Sequence, residues 1–181
     1  MTCIALLRGI NVVGHKIIKM AELAKLFESL KFRSVRTYVQ SGNVIFETFS
    51  SNTATLSRAI ETAIEKKFGF SVSVVLRTPD ELKKIVSGNP FLKGRGVQTE
   101  RLYVTLLKEL PEKKVVSSLE MNQASNEKYV VKGREIYLYC PNGYGRTKLN
   151  NNIFEKKLNA VATTRNWKTT TTLLELAAVQ K

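Results

Sequence analysis

The first residues with the spacing of a chemical site lie near the amino terminus, in the segment LLRGINVVGHKI. Gly9 and Gly14 are separated like the glycines of the nucleoside-triphosphate loop GxxxxGK[ST], whose backbone N–H groups surround phosphate. Here His15 occupies the Lys position, Lys16 comes one residue late, and Ile17 stands where a hydroxyl is needed. These three departures argue against a nucleoside-triphosphate site.

The residues between the two glycines are largely apolar, which favours packing over a solvent-open phosphate cradle. Ile10, Val12 and Val13 fall in this interval. The segment therefore predicts a strand-to-helix connection with two glycines at special backbone angles. Beside the start of a helix, a simpler phosphate contact stays open for four side chains. They are Arg8, Asn11, His15 and Lys16.

A second group of cations follows near the carboxyl terminus, in NGYGRTKLNN and ATTRNWK. Its cationic residues are Arg146, Lys148, Arg165 and Lys168. Interleaved with Asn, Thr and one aromatic, they suit a surface that contacts phosphates and bases. The alternative is that Trp167 anchors the last helix in the core while the cations are solvated.

Tyrosines offer a third possible surface. Tyr103, Tyr137 and Tyr139 are predicted to share one face of a sheet, where aromatics stack bases in RNA-recognition domains. The match to the second RNA-recognition signature is weak, because Arg134 and Glu135 stand where aromatic or small residues are expected. Packing of this face inside the protein is the favoured interpretation.

Residues for catalysis are few. The chain has one His, and Asp80 is its only Asp. No metal cage and no cofactor are expected from this inventory. A Ser-His-Asp triad would need His15 and Asp80, and Asp80 is better explained by the first turn of a helix. The sequence leaves enzymatic activity open and leans against it.

Charge is the strongest compositional feature of the 181-residue chain, at a formal +14. Residues 1–46 carry seven Lys or Arg against two Glu, and residues 144–173 carry six against one. A field of this sign attracts nucleic acid or another polyanion. No apolar run reaches the length of a membrane helix, so no membrane association is expected.

The amino terminus has no basic segment before its short apolar run, so we expect no signal peptide and a cytoplasmic location. Cys3 and Cys140 lie in strand-like surroundings far apart in sequence. We expect two reduced, buried thiols.

The pattern of apolar residues predicts an α+β chain of two tandem ferredoxin-like (α-β plait) domains with extra helices. Strand and helix signals in the first half run β-α-β-β-α-β, including a tight turn at Ser41-Gly42. The order repeats after a Gly-rich stretch, with a helix begun by Pro111 and a hairpin at Gly133-Arg134. We predict a first domain over residues 1–77, a helix and linker over 78–100, and a second domain over 101–181.

The segments IALLRGINVVG, MAELAKLF, VRTYVQSGNVIF, RTPDEL, NPF, YCPNGYGRTKLNN and ATTRNWKT occur in this order. In them the chain resembles the bacterial domain-of-unknown-function 1697 family, from about residue 3 to residue 174. The resemblance implies two ferredoxin-like domains and no established activity. The family segment commonly reads RGINVGG, and Val13 replaces the first Gly of that pair here.

Three functional hypotheses follow. The first is a non-enzymatic binder of nucleic acid or another polyanion. The second is a small-molecule or phosphometabolite binder or enzyme, with a site in a cleft between the domains. Its residues would be Arg8, Asn11, Gln40, Asn43, Arg146 and Arg165. The third is a protein-interaction module or homo-oligomer that uses a free sheet edge or face.

Overall fold

The computed structural model describes residues 1–117, 119 and 127–179, and these contain eight strands and six α-helices. In chain order they are β1 (Thr2–Leu7), α1 (Met20–Ser29), β2 (Arg33–Tyr38), β3 (Asn43–Glu47), α2 (Thr53–Phe68), β4 (Val74–Arg77), α3 (Pro79–Ser87), β5 (Leu102–Leu107), α4 (Lys113–Ser117), β6 (Lys128–Lys132), β7 (Glu135–Tyr139), α5 (Asn151–Leu158), β8 (Ala162–Asn166) and α6 (Trp167–Ala178). The predicted α+β class and the element order of both halves are confirmed.

The chain divides into two compact units. Unit 1 comprises Met1–Lys83 together with the chain from Leu173 onward, and unit 2 comprises Lys84–Thr172. The domain boundaries predicted at residues 77 and 100 stay a prediction. In the described part of the chain, no helix combines the length and the apolar character needed to cross a membrane.

Unit 1 contains an antiparallel sheet in the order β2-β3-β1-β4. Helices α1 and α2 present apolar stripes at helical spacing, which include Phe27 and Ile60. These stripes pack on alternate residues of the strands, among them Ala5, Val44 and Val74. Alternation in the strands and the 3.6-residue period in the helices thus place the core on one face of the sheet.

Unit 2 repeats this arrangement with the order β6-β7-β5-β8. Phe154 and Leu158 of α5 pack against Ile136 and Leu138 of β7. The structure corrects the position of Pro111 in this unit.

The helix predicted to begin at Pro111 begins at Lys113, because the carbonyl of Glu112 accepts the first helical bonds from Val115 and Val116. Pro111 is instead buried just before the helix. The predicted helix extended to residue 121, and Ser118 and residues 120–121 lie outside the described residues.

The two units share details beyond strand order. Arg77 pairs with Ile4 at one edge of the first sheet, and Arg165 pairs with Val104 at the matching place in the second. Each arginine is followed by the residue that caps the next helix. Thr78 accepts from the backbone N–H of Glu81 in a capping box, and Asn166 accepts from that of Thr169.

A half-buried glutamate in each unit completes the correspondence. Glu61 of α2 accepts from the N–H of Val74, at 2.7 Å, and Glu155 of α5 accepts from the N–H of Ala162, at 3.0 Å. Each carboxylate satisfies the first backbone N–H of the edge strand that follows it. The two halves therefore use the same polar contacts at the same positions, although the sequence around them differs.

Candidate functional site

Asn11 braces the connection that leaves β1. Its amide group donates to the carbonyls of Ile18 at 2.9 Å and Gln40 at 2.8 Å, and its Oδ1 accepts from the N–H of Ile18 at 2.8 Å. The residue has φ of 54°, a left-handed conformation that Asn tolerates better than most residues. The Asn11 side chain therefore joins the loop to the β2–β3 turn by hydrogen bonds.

The tip of this connection is a tight turn that exposes apolar side chains. The N–H of His15 donates to the carbonyl of Val12 at 2.9 Å, across Val13 and Gly14, which have φ of 47° and 76°. The expectation that the apolar residues pack holds for Ile10, which is 1% exposed. It is wrong for Val12 and Val13, which are 54% and 89% exposed. Both valines lie at the tip of the turn, and their side chains point to solvent.

The turn between β2 and β3 is longer than predicted. Four residues, 39–42, separate the strands, so the expected two-residue turn at Ser41-Gly42 is wrong. Gly42 has φ of 77°, and a Cβ there would lie 2.7 Å from the side chain of Ile10 and 2.8 Å from that of Leu7. The loop after β1 packs so closely on the turn that only glycine fits.

Asn43 secures the same turn from inside. It is fully buried, and its amide donates to the carbonyl of Tyr38 at 2.9 Å and to Oγ of Ser41 at 3.1 Å. Its side chain therefore stabilises the hairpin.

Two cations, Arg8 and Lys16, lie at the end of unit 1 that carries the β2–β3 turn. Lys16 is exposed, and its Nζ donates to the carbonyl of Ser71 at 2.8 Å. Arg8 is half-buried, and its backbone N–H donates to the carbonyl of Ser73 at 2.9 Å. The structure thus brings five predicted site residues to one end of the sheet, where β1 ends, β3 begins and β4 is about to start. They are Arg8, Asn11, Lys16, Gln40 and Asn43.

The other three predicted residues belong to unit 2. Arg146 and Lys148 are exposed. Arg165 is only 6% exposed, and its Nη1 donates to Oγ1 of Thr163 at 2.8 Å and to the carbonyl of Thr164 at 3.0 Å. Burial lowers the pKa of Arg165 to about 10, so the side chain remains charged near neutral pH. Arg165 is therefore a buried cation of β8, whereas Arg146 and Lys148 are exposed.

A chain of hydroxyl groups crosses the helix-covered side of unit 2. The Oγ1 atoms of Thr105 and Thr164 lie 2.7 Å apart, and Thr164 also donates to Oδ1 of Asn151 at 2.7 Å. The Tyr144 hydroxyl donates to Thr164 at 3.0 Å. Sequence spacing could not identify this network, because its members come from four separate segments that only the sheet pairing brings together.

The three tyrosines do not form a stacking surface. Tyr103 is paired with Leu138, whereas Tyr137 is paired with Val104, so Tyr103 faces the opposite side of the sheet from Tyr137 and Tyr139. The prediction of a shared face is wrong. Tyr137 is 3% exposed, and its hydroxyl donates to the carbonyl of Ile85 at 3.1 Å, which supports the packing interpretation.

Comparison with known proteins gives a family and a fold. The family model described as protein of unknown function (DUF1697) matches residues 1–137. The chain belongs to the DUF1697 family. A solved structure of similar fold is that of the conserved bacterial protein SP0830 from Streptococcus pneumoniae, which is 23% identical. The likeness covers 97% of this chain and 98% of that chain, with a TM-score of 0.77.

At this identity the likeness to SP0830 concerns the fold. No curated protein matches the chain. Membership of DUF1697 brings no established activity, so function has to be argued from the residues of this chain.

Proposed function

We propose that this protein binds a phosphate-bearing polyanion, with nucleic acid as the first choice, on the surface of unit 1. The observation that carries the proposal is a cationic surface whose segments contain no carboxylate. Residues 1–21 and 29–46 contain no Asp or Glu. Their exposed cations are Lys16, Lys19, Lys31, Arg33 and Arg36.

The fold supports a continuous surface of these cations. The first segment forms the loop after β1, and the second forms the edge strand β2 and its turn. The Asn11–Gln40 hydrogen bond joins the two segments. Neither segment contains a carboxylate of its own, so the fields of these cations add at the surface, reduced at Arg33 by the opposite Glu47. Such a surface favours multivalent phosphate over a single anion.

Affinity for labelled RNA and DNA oligonucleotides, measured by fluorescence anisotropy across a salt series, tests the proposal. We expect binding at low salt that weakens as salt rises, because each neutralised phosphate releases counterions. Combining Lys31→Gln with Arg36→Gln should reduce the magnitude of the log–log salt slope by roughly 1.4, at about 0.7 per contact with a single strand.

The matched control combines Lys66→Gln with Lys83→Gln, which removes two exposed cations from α2 and α3. The net charge changes equally in both double variants. Absence of binding at low salt, binding that ignores salt, or an equal effect of the two variants would each refute the proposal.

We infer that each unit is a ferredoxin-like α-β plait. Support comes from the two strand orders, β2-β3-β1-β4 and β6-β7-β5-β8, each with a β-α-β-β-α-β sequence of elements. A cytoplasmic location belongs to the same proposal. The two free, buried thiols support it, because such cysteines are typical of reducing compartments.

A further inference from the structure

We propose that Phe49 is a stacking platform for a nucleic-acid base, and that the polyanion is single-stranded. This inference rests on the proposed function and adds to it the class of polymer. The site combines Phe49 with the arginines of β2 and with two hollows that share the Phe49 ring.

Phe49 is an aromatic side chain held out in solvent on an ordered loop. It is 87% exposed. The loop is fixed by the backbone N–H of Thr48, which donates to the carbonyl of Met1 at 2.9 Å. Asn52 then caps α2 by accepting from the N–H of Thr55 at 3.0 Å. An exposed ring on a fixed backbone loses little conformational freedom when it stacks against a ligand.

Arg33 lies against this ring, with its guanidinium carbon 4.9 Å from the ring centroid. The contact orients both groups, because a cation over an aromatic face is attracted by the ring quadrupole. It also places a phosphate-binding guanidinium beside an aromatic ring. These are the two components that bind single strands without reading their sequence.

Two hollows flank Phe49. The first has a volume of about 250 Å³, and Arg33 and Glu47 contribute to its lining. The second, of about 340 Å³, is lined by Phe49, by apolar Phe32 and Leu56, and by Lys31. Its size lies at the lower end for small-ligand sites, which typically begin at about 300 Å³. Ser50 and Thr55 add hydroxyls to the second hollow, so it offers a planar ring an apolar wall, an aromatic neighbour and hydrogen-bonding groups.

A β-bulge aligns the cations with this site. In a regular strand Arg33 and Arg36 would point to opposite faces, since they are three residues apart. The pairing shifts between them, so that Arg33 is opposite Glu47 and Arg36 is opposite Ile45, two residues apart on β3. Ser34, with φ of 50°, lies in the shift. The bulge therefore places both arginines on the same face of the edge strand.

The same face continues to Tyr38, which is opposite Asn43. From Arg33, opposite Glu47, to Tyr38, opposite Asn43, the row spans four residue steps of β3, or roughly 14 Å at about 3.4 Å per step. Protection of an edge strand from aggregation would explain its cations. It does not explain an exposed phenylalanine beside a hollow, whereas a strand of stacked bases linked by phosphates fits the aromatic–basic row.

The test compares Phe49→Ala with wild type for binding to a short oligothymidylate and to inorganic polyphosphate, which has no bases. Loss of one stacked base should weaken oligothymidylate binding by about 5-fold to 150-fold, from a stacking contribution of about 1–3 kcal/mol. Polyphosphate affinity and the salt slope should not change, because Phe49 carries no charge. Phe49→Tyr should retain oligothymidylate affinity.

Leu110→Ala is the control, since Leu110 is an exposed apolar side chain of unit 2, at 70%. If Phe49→Ala leaves oligothymidylate affinity unchanged while wild type binds both polymers, the stacking inference is refuted and the proposed function stands. If wild type binds neither polymer, both fail. If Phe49→Ala weakens binding only to phosphatidylserine vesicles, the ring inserts into lipid and the inference is refuted.

Discussion

Replacing Val13 by glycine should stabilise this protein, although the substitution removes an apolar side chain. Val13 has φ of 47°, and its side chain is 89% exposed. A β-branched residue is poorly suited to this left-handed conformation, because its Cβ crowds the following carbonyl oxygen. Glycine, which has no Cβ, adopts the same conformation at little cost.

The expected change in the free energy of unfolding on Val13→Gly is the difference between two opposing contributions. Relief of the left-handed backbone contributes about 1–2 kcal/mol. The extra freedom of glycine in the unfolded chain costs about 0.5–1 kcal/mol. The side chain contributes little burial at its observed exposure, so the net gain should be about 0.5–1 kcal/mol. With a urea dependence of about 2–3 kcal/mol per molar, the unfolding midpoint should rise by roughly 0.3 M.

Urea unfolding followed by circular dichroism measures this shift. Val12→Gly is the matched control, because Val12 is an exposed neighbour in the same turn and lies outside the positive-φ region. It should lower stability by about 0.5–1 kcal/mol, through glycine's unfolded-state freedom alone. If Val13→Gly lowers the midpoint as much as Val12→Gly does, backbone strain at position 13 is not the controlling term.

Asn11→Ala should lower the free energy of unfolding by about 1–3 kcal/mol, since it removes the donor to the carbonyls of Ile18 and Gln40 and leaves the backbone groups of the buried Ile18 without this partner. Thermal unfolding measures the loss, and an unchanged midpoint would contradict the bracing role. Cys3 and Cys140 should react slowly with a thiol reagent in the native protein at pH 8 and rapidly in urea, because both are fully buried and burial raises the pKa of each to about 11. Since the folded pKa lies above the ordinary 9.0, the thiols' contribution to stability is fully present below about pH 9 and is lost as pH rises towards 11. Fast labelling of the native protein at pH 8 would contradict the burial of the thiols, and stability that rises between pH 9 and pH 11 would contradict their raised pKa.

Features that depend on residues close together in the chain were predictable. The capping box of Thr78 and Glu81 and the left-handed C-cap at Gly69 follow from residue types at fixed local spacing. The hairpin at Gly133-Arg134 is present between β6 and β7. Local residue types set these features because the hydrogen bonds involved close within a few residues.

The candidate site was predictable only in part. The sequence grouped residues of the loop after β1 and of the turn before Asn43 in one candidate site, and the structure places the loop and the turn in contact. It did not indicate that Asn11 and Asn43 are structural, or that Arg165 is buried. Those outcomes depend on which carbonyls each side chain can reach. For Asn11, one of these is the carbonyl of Gln40, which is 29 positions away in the chain.

By itself, the sequence determined the α+β class, the element order, the family and the concentration of cations in segments without carboxylates. Tertiary structure alone decided which cations share a surface. The pairing shift in β2 turns Arg33 and Arg36 to one face, and the register of β5 with β7 separates Tyr103 from Tyr137. The physical reason is that side chains along a strand point to alternate faces of the sheet, so a single inserted residue reverses the face of all residues that follow.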